Sequence, residues 1–191
     1  MTSNTTLLAD RLWSQGLARN VTLAIIGSLA LWVSAKLHVP FYPVPMTMQT
    51  FAVLVIGMAF GWRLGGATVL LYLAEGAVGL PVFSGTPERG IGLAYMAGPT
   101  GGYLVGFVVA AVVTGFLAEH KWDRHVWTTL LAMSVGTAII FAFGTLWLGA
   151  VIGFDKDVIQ LGVTPFLLGA AFKIALAGAV LPMAWRFVKR G

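Results

Sequence analysis

The stretch VWTTLLAMSVGTAIIFAFGTLWLGAVI, at positions Val126–Ile152, decides the fold class of this chain. It carries no charged residue, and it is longer than the roughly 20 apolar residues that a helix needs to cross a lipid bilayer. It therefore predicts a helix that spans a membrane.

The composition of the whole chain supports the same prediction. Hydrophobic residues make up 58% of the 191 positions and charged residues only 10%, with a mean hydropathy of +0.88. A water-soluble domain would carry about a quarter charged residues. We predict one integral-membrane domain over residues 1–191, in the cell membrane, with no room for a fused ATPase. The chain has no glycine-rich phosphate loop, and without cysteine it can form neither disulfides nor thiolate metal sites.

Five further apolar runs accompany the first. They are Val21–Leu37, Met46–Phe60, Leu64–Leu80, Gly102–Ala118 and Thr164–Trp185. We therefore predict an all-α, polytopic protein with six transmembrane helices. Three prolines within Val39–Pro45 predict an extended or re-entrant segment, because proline disrupts a helix interior. The glycine- and proline-rich stretch Pro81–Pro99 predicts a long irregular loop.

The positive charges predict how the bundle is oriented. With the N-terminus inside, eight lysines and arginines fall in inner segments: Arg11, Arg19, Arg63, Lys121, Arg124, Arg186, Lys189 and Arg190. Only Lys36, Arg89 and Lys156 fall outside. The positive-inside rule then predicts that both termini are inside, which six spans allow. It also explains the basic pI without nucleic acid. Both irregular segments lie outside in this arrangement, so we expect a ligand pocket that faces outward.

Lys173 is the strongest candidate for a functional residue, because it lies midway along the last run. A lysine at that depth costs a few kcal/mol on insertion scales, so it normally faces a cavity or a partner. As a cation it could hold a substrate carboxylate or donate to a carbonyl. The alternatives are a structural or a snorkelling lysine.

Two other polar residues stand in or near the runs. Glu75 could pair with Lys173, bind substrate or lie in the outer polar region. Gln49 could bond a neighbouring helix, or it could meet a ligand that offers both donors and acceptors.

The residues between 90 and 103 combine flexible glycines with Tyr95 and Tyr103, which is typical of a lid over an outward cavity as well as of an ordinary loop. Small residues at Ala24 and Ser28 would let another helix approach the first run closely, either from the same chain or from a partner subunit. No metal-ligand cluster and no serine–histidine–acid set can be placed on one side, so an enzyme is disfavoured.

Three blocks of sequence together resemble the BioY family, the biotin-binding substrate subunits (S components) of energy-coupling-factor (ECF) importers. They are Val44-Pro45-Met46-Thr47-Met48-Gln49-Thr50-Phe51, Gly79-Leu80-Pro81-Val82-Phe83, and Ala97-Gly98-Pro99-Thr100-Gly101-Gly102-Tyr103-Leu104-Val105-Gly106-Phe107. The family's last span often reads Gly-Asp-x-x-Lys. Here Lys173 matches, but Ala170 stands where the aspartate would be.

The resemblance implies a six-helix S-component bundle with a biotin pocket near the outer face. It also implies that the first span, at Ala24 and Ser28, meets a transmembrane coupling protein driven by two ATPase subunits. No cofactor is implied besides biotin as the transported ligand. The absence of an ATP site is also compatible with a solitary facilitator or a homo-oligomer.

Biotin has an apolar bicyclic core, a ureido group with two N–H donors and one C=O, and a carboxylate tail. The walls for the core would be Phe51, Phe83, Tyr95 and Tyr103, with Thr47 in the same block as Gln49. Gln49, Ser84 or Glu75 would meet the ureido group, with Glu75 a candidate for the missing acid. Lys173 or Arg89 would meet the carboxylate or the ureido oxygen. The alternative functions are an S component for another vitamin and a membrane protein without a transport role.

Overall fold

The computed structural model describes residues 7–12, 16–39, 46–88 and 90–188. Its elements in chain order are helices α1 (Leu8–Leu12) and α2 (Leu17–Lys36), strands β1 (His38–Val39) and β2 (Met46–Thr47), helices α3 (Gln49–Ala77), α4 (Gly92–Ala97), α5 (Gly101–Glu119), α6 (Val126–Ile152) and α7 (Val158–Gly162), a 3₁₀ turn (Thr164–Phe166), and helix α8 (Leu167–Val188). The all-α membrane fold that the sequence predicts is confirmed.

Five helices in the described ranges are long and apolar enough to cross a membrane. They are Leu17–Lys36, Gln49–Ala77, Gly101–Glu119, Val126–Ile152 and Val158–Phe187, the last of which includes α7 and the 3₁₀ turn. The second and third predicted spans are therefore joined in one element, α3. Six crossings, and both termini inside, stay predictions.

Helix α3 folds back on itself at Gly61, whose φ of 81° is a conformation that favours glycine. A Cβ placed on Gly65 would lie 2.9 Å from the Cα of Gly57, although residues eight apart in a straight helix are about 12 Å apart. The amide of Gln49 also bonds the hydroxyl of Tyr72 at 2.7 Å. The element is thus a pair of antiparallel arms, Gln49–Phe60 and Trp62–Ala77.

Close backbone approaches hold the bundle together. The α3 arms pack most extensively against α5, and α5 packs in turn against α6. A Cβ on Gly57 would lie 2.6 Å from the carbonyl oxygen of Ala111, and one on Gly115 would lie 2.5 Å from the backbone of Gly61. Small residues permit this approach. In lipid there is no hydrophobic driving force between helices, so their association depends on such close packing.

The two ends of the bundle differ. At one end lie α1, the turn at Gly61 and the loop from α5 to α6, where the buried Asp123 accepts a hydrogen bond from Trp185 Nε1 of α8. At the other end lie β1, β2, α4 and α7. The strands pair antiparallel, His38 with Thr47 and Val39 with Met46. The proline-rich residues between the two strands, where we predict an extended or re-entrant segment, lie outside the described residues.

Three short helices were absent from the predictions. α1 lies in the polar N-terminal stretch, α4 in the predicted irregular loop, and α7 in the loop before the last span. Helices of five or six residues are unstable alone, so packing decides whether they form. In α1, Leu8 and Ala9 are buried against α3 and α8.

Candidate ligand-binding site

A cavity of about 440 Å³ lies between the helices at the end that carries the two strands. Its volume is in the range of small-molecule sites, which are mostly apolar with a few placed polar groups. Seven of the ten predicted binding residues line it: Thr47, Gln49, Phe51, Ser84, Tyr95, Tyr103 and Lys173. Residues far apart in the chain thus meet in one place.

Most of the wall was not predicted. The further lining residues are His38, Met46, Thr50, Leu54, Gly85, Pro99, Thr100, Leu104, Phe107, Thr137, Ile140, Phe141, Leu148, Leu161, Gly162, Phe166 and Ala170. Six of these belong to the sequence blocks that carry the family resemblance: Met46, Thr50, Pro99, Thr100, Leu104 and Phe107. That membership was the available signal for them. The apolar residues of α6 and α8 carried none.

Lys173 supplies the charge of the cavity. Its side chain is 9% exposed, and its Nζ donates to Thr50 Oγ1 at 2.9 Å. None of the described residues that line the cavity is a carboxylate, and Ala170 lines it without one. An ammonium has three N–H donors, and a single hydroxyl satisfies one of them. The remaining donors suit a carboxylate or carbonyl oxygen of a ligand.

Gln49 presents its carbonyl oxygen as the complementary acceptor. Its Nε2 donates to Tyr72 Oη at 2.7 Å, and that hydroxyl donates onward to the carbonyl of Val82 at 2.9 Å. Because the proton of Tyr72 is committed to Val82, the amide nitrogen of Gln49 must face Tyr72. The amide oxygen is left for an N–H donor of a ligand. No described residue donates to it.

Replacing Tyr72 by phenylalanine should destabilise the protein, because it leaves both the amide of Gln49 and the carbonyl of Val82 unpaired in a buried place. Each orphaned group costs about 1–3 kcal/mol. We expect a thermal unfolding midpoint several degrees lower, measured by intrinsic fluorescence in detergent.

Tyr103→Phe is the matched control for this change. Among the described residues, the hydroxyl of Tyr103 has one hydrogen-bond partner, the carbonyl of Gly162 at 2.7 Å. It should therefore lose less stability than Tyr72→Phe. An equal or greater loss in the control would contradict the assignment of Tyr72 as the residue that orients Gln49.

The aromatic residues of the cavity wall are held in place by contacts with residues outside the lining. Tyr95 donates its hydroxyl to the carbonyl of Ser84 at 2.6 Å, and its ring stacks on Phe83 with centroids 5.0 Å apart. Phe83 is 1% exposed and also meets Tyr72 edge to face, with centroids at 5.5 Å. It does not line the cavity, so it supports the wall rather than forming it as predicted.

The other predicted residues that the structure describes do not line the cavity; they are Glu75 and the docking residues Ala24 and Ser28. Glu75 is not in its lining; its Oε1 accepts a hydrogen bond from Ser28 at 2.9 Å. Ser28 is 1% exposed, so it faces α3 rather than the surface of the bundle, whereas Ala24 is half-buried. Arg89 lies outside the described residues.

Together these features define a multi-pass helical membrane protein of the cell membrane, with a cavity suited to a small ligand between its helices. Residues 2–190 match the BioY family, and the chain belongs to that family, as its sequence blocks indicate. Relatives include the biotin transporter BioY of Rhizobium etli, which is 38% identical over 156 residues that cover 78% of this chain and 82% of the relative.

Another relative and a solved structure are similar to this chain over most of its length. The biotin transporter BioY of Thermotoga maritima is 36% identical over 163 residues, 85% of this chain and 93% of the relative. A crystal structure of the S-component for biotin from an ECF-type ABC transporter superposes with a TM-score of 0.73 at 21% identity, covering 91% of this chain and 93% of that one. At this identity the likeness shows the shared fold, and it confirms the predicted S-component-like bundle.

Proposed function

We propose that this protein binds biotin in the cavity and delivers it across the cell membrane. The observation that carries the proposal is the pairing of one buried cation, Lys173, with one oriented acceptor, Gln49, inside an apolar wall. The relatives named as biotin transporters support the choice of ligand.

The chemistry of biotin fits this arrangement. The bicyclic core matches the apolar wall between Phe51, Tyr95 and Tyr103. The ureido N–H groups are donors, which suits the free oxygen of Gln49. Lys173 then donates a hydrogen bond to an acceptor on the ligand. That acceptor is either the carboxylate or the ureido oxygen of biotin. The absence of an acid at Ala170 means that a ligand acceptor has no competing protein carboxylate among the described lining residues.

A competition experiment tests the ligand class. The purified protein is loaded with radiolabelled biotin and challenged with unlabelled biotin, thiamine and riboflavin. We expect displacement by biotin alone. Displacement by thiamine or riboflavin, or the absence of biotin loading, would favour an S component for another vitamin.

We further propose that delivery needs an ATP-driven ECF module, made of a transmembrane coupling protein and two ATPase subunits. The chain has no phosphate loop of its own. It belongs to the BioY family, and the relatives described above are named as transporters. Helix α2 is the proposed docking face. Most of its apolar side chains are exposed on the surface of the bundle, among them Val21, Ile25 and Leu29.

Replacing Ala24 by tryptophan should spare biotin binding and impair coupled uptake. A bulky side chain inserted into a close interface costs about 1–3 kcal/mol, so we expect uptake to fall by about tenfold when the module is limiting. Biotin binding and uptake are measured on the same membranes.

Ala138→Trp is the control, since Ala138 is exposed on α6 and away from the proposed face. It should leave uptake unchanged. Normal uptake by Ala24→Trp would argue against α2 as the docking helix, and lost uptake in both variants would show a general effect of bulk in the membrane.

A further inference from the structure

The residues Val82–Thr86, which we call the roof segment, form part of the cavity wall through Ser84 and Gly85. Side chains from other elements hold its carbonyl groups. Tyr72 bonds the carbonyl of Val82, and Tyr95 bonds that of Ser84. The carbonyls of Phe83 and Thr86 are held by Lys36. Within the segment, the backbone N–H and Oγ1 of Thr86 also donate to the carbonyl of Phe83. Tyr72, Tyr95 and Lys36 attach the segment to its neighbours, together with the buried ring of Phe83.

Lys36 makes the attachment to α2, of which it is the last residue. Its Nζ donates to Phe83 O at 3.0 Å, to Thr86 O at 2.7 Å and to Thr86 Oγ1 at 3.0 Å. An ammonium has three N–H donors, so two backbone carbonyls and one hydroxyl of the roof segment use all of them. Hydrogen bonds from a charged donor are stronger than those between two neutral groups.

Helix α2 also reaches the cavity by a second route. It leads directly into β1, whose His38 lines the cavity and pairs with Thr47 of β2, another lining residue. The end of α2 is therefore connected to the wall on two sides. One of these connections is the peptide chain, and the other is Lys36.

We propose that Lys36 is a positioning residue for ligand retention, which fastens the roof segment to α2 and makes closure of the cavity depend on where α2 lies. It does not touch the cavity itself. This inference rests on the proposed function in two respects: the retained ligand is biotin, and α2 is the helix that meets the partner. A displacement of α2 by a partner would be carried by Lys36 to the wall of the site.

A thiol-accessibility experiment tests the attachment without any ligand. The chain has no cysteine, so Ser84→Cys introduces a single thiol into the roof segment. Its rate of alkylation by a maleimide is measured with Lys36 intact, with Lys36→Met, and with Lys156→Met as the matched change at an exposed lysine. We expect an increase of about tenfold with Lys36→Met alone, since local opening becomes easier when charged hydrogen bonds are lost. Equal rates in all three would overturn the proposal.

The direction of the expected change is itself informative. Removing a nearby ammonium lowers the fraction of reactive thiolate, which would slow alkylation. An increase in rate therefore reports movement of the roof segment and not a change in thiol chemistry.

Biotin dissociation provides the functional readout. From the otherwise unchanged protein, we expect Lys36→Met to release biotin about tenfold faster, with Lys36→Arg intermediate and Lys156→Met unchanged. A merely structural lysine would lower the unfolding midpoint without changing the dissociation rate, and that result would overturn the proposal.

Should Lys36→Met fail to fold, Thr86→Val carries the test. It keeps the side-chain shape and removes one of the three acceptors of Lys36, together with the bond that Thr86 Oγ1 donates to the carbonyl of Phe83. A rise of about threefold in the dissociation rate is expected, and an unchanged rate would overturn the proposal. If the wild-type protein does not bind biotin, biotin is rejected as the ligand. The thiol experiment, which needs no ligand, still decides the role of Lys36.

Discussion

Replacing Lys173 by methionine is expected to weaken biotin binding by about 100-fold, because a charged hydrogen bond in a desolvated site is lost. Methionine has nearly the length of lysine and fills the same space without a charge. Lys173 is 9% exposed, and its described partner is the hydroxyl of Thr50. Equilibrium binding of radiolabelled biotin by the purified variant measures the effect.

Stability separates this role from a structural one. A buried ammonium with one neutral partner is costly to the folded protein, so Lys173→Met should keep or raise the unfolding midpoint while binding is lost. Lys156→Met, in the exposed loop before α7, should change neither property. If Lys173→Met bound biotin normally, Lys173 would be excluded from the site.

Replacing Gly76 by alanine is expected to reduce biotin binding by about 30-fold. The ring of Phe83 lies so close to Gly76 that a Cβ there would overlap it. Phe83 must then move, and with it the stacked ring of Tyr95 that lines the cavity. Overpacking of this kind costs about 1–3 kcal/mol. The measurement is again equilibrium binding of biotin.

A double-mutant cycle shows whether the ring of Phe83 transmits the effect. Phe83→Leu removes the part of the side chain that a Cβ would meet. We expect Gly76→Ala to have little additional effect in the Phe83→Leu background, because residues in contact are not additive. Full additivity of the two changes would contradict the proposed path from Gly76 through Phe83 to Tyr95.

Much of the fold follows from the sequence because lipid imposes simple requirements. Each apolar run of sufficient length forms a helix, and the break at Gly61-Trp62-Arg63 marks the turn between the α3 arms. Lys173 could be identified for the same reason, since a charge at that depth needs a cavity. The family blocks added Thr47 and Phe51, which line the cavity, and Phe83, which does not.

The rotation of each helix about its axis could not be predicted. In a soluble helix the polar stripe identifies the outward face, but helices in lipid are apolar on every side. Glu75 was therefore a candidate for the site, although it accepts a hydrogen bond from Ser28 outside the lining. Conversely, Ile140 and Phe141 line the cavity with nothing in the sequence to mark them. The hydrogen bonds of Lys36 to the roof segment depend on tertiary geometry in the same way.

Biotin binding in the cavity around Lys173 is tested most directly by equilibrium titration of the purified protein with radiolabelled biotin, alongside Lys173→Met. We expect saturable binding of one biotin per chain by the wild-type protein, lost or greatly weakened in the variant. Absence of saturable binding by the wild-type protein, or equal affinities of the two proteins, would contradict the claim that the cavity around Lys173 is a biotin site.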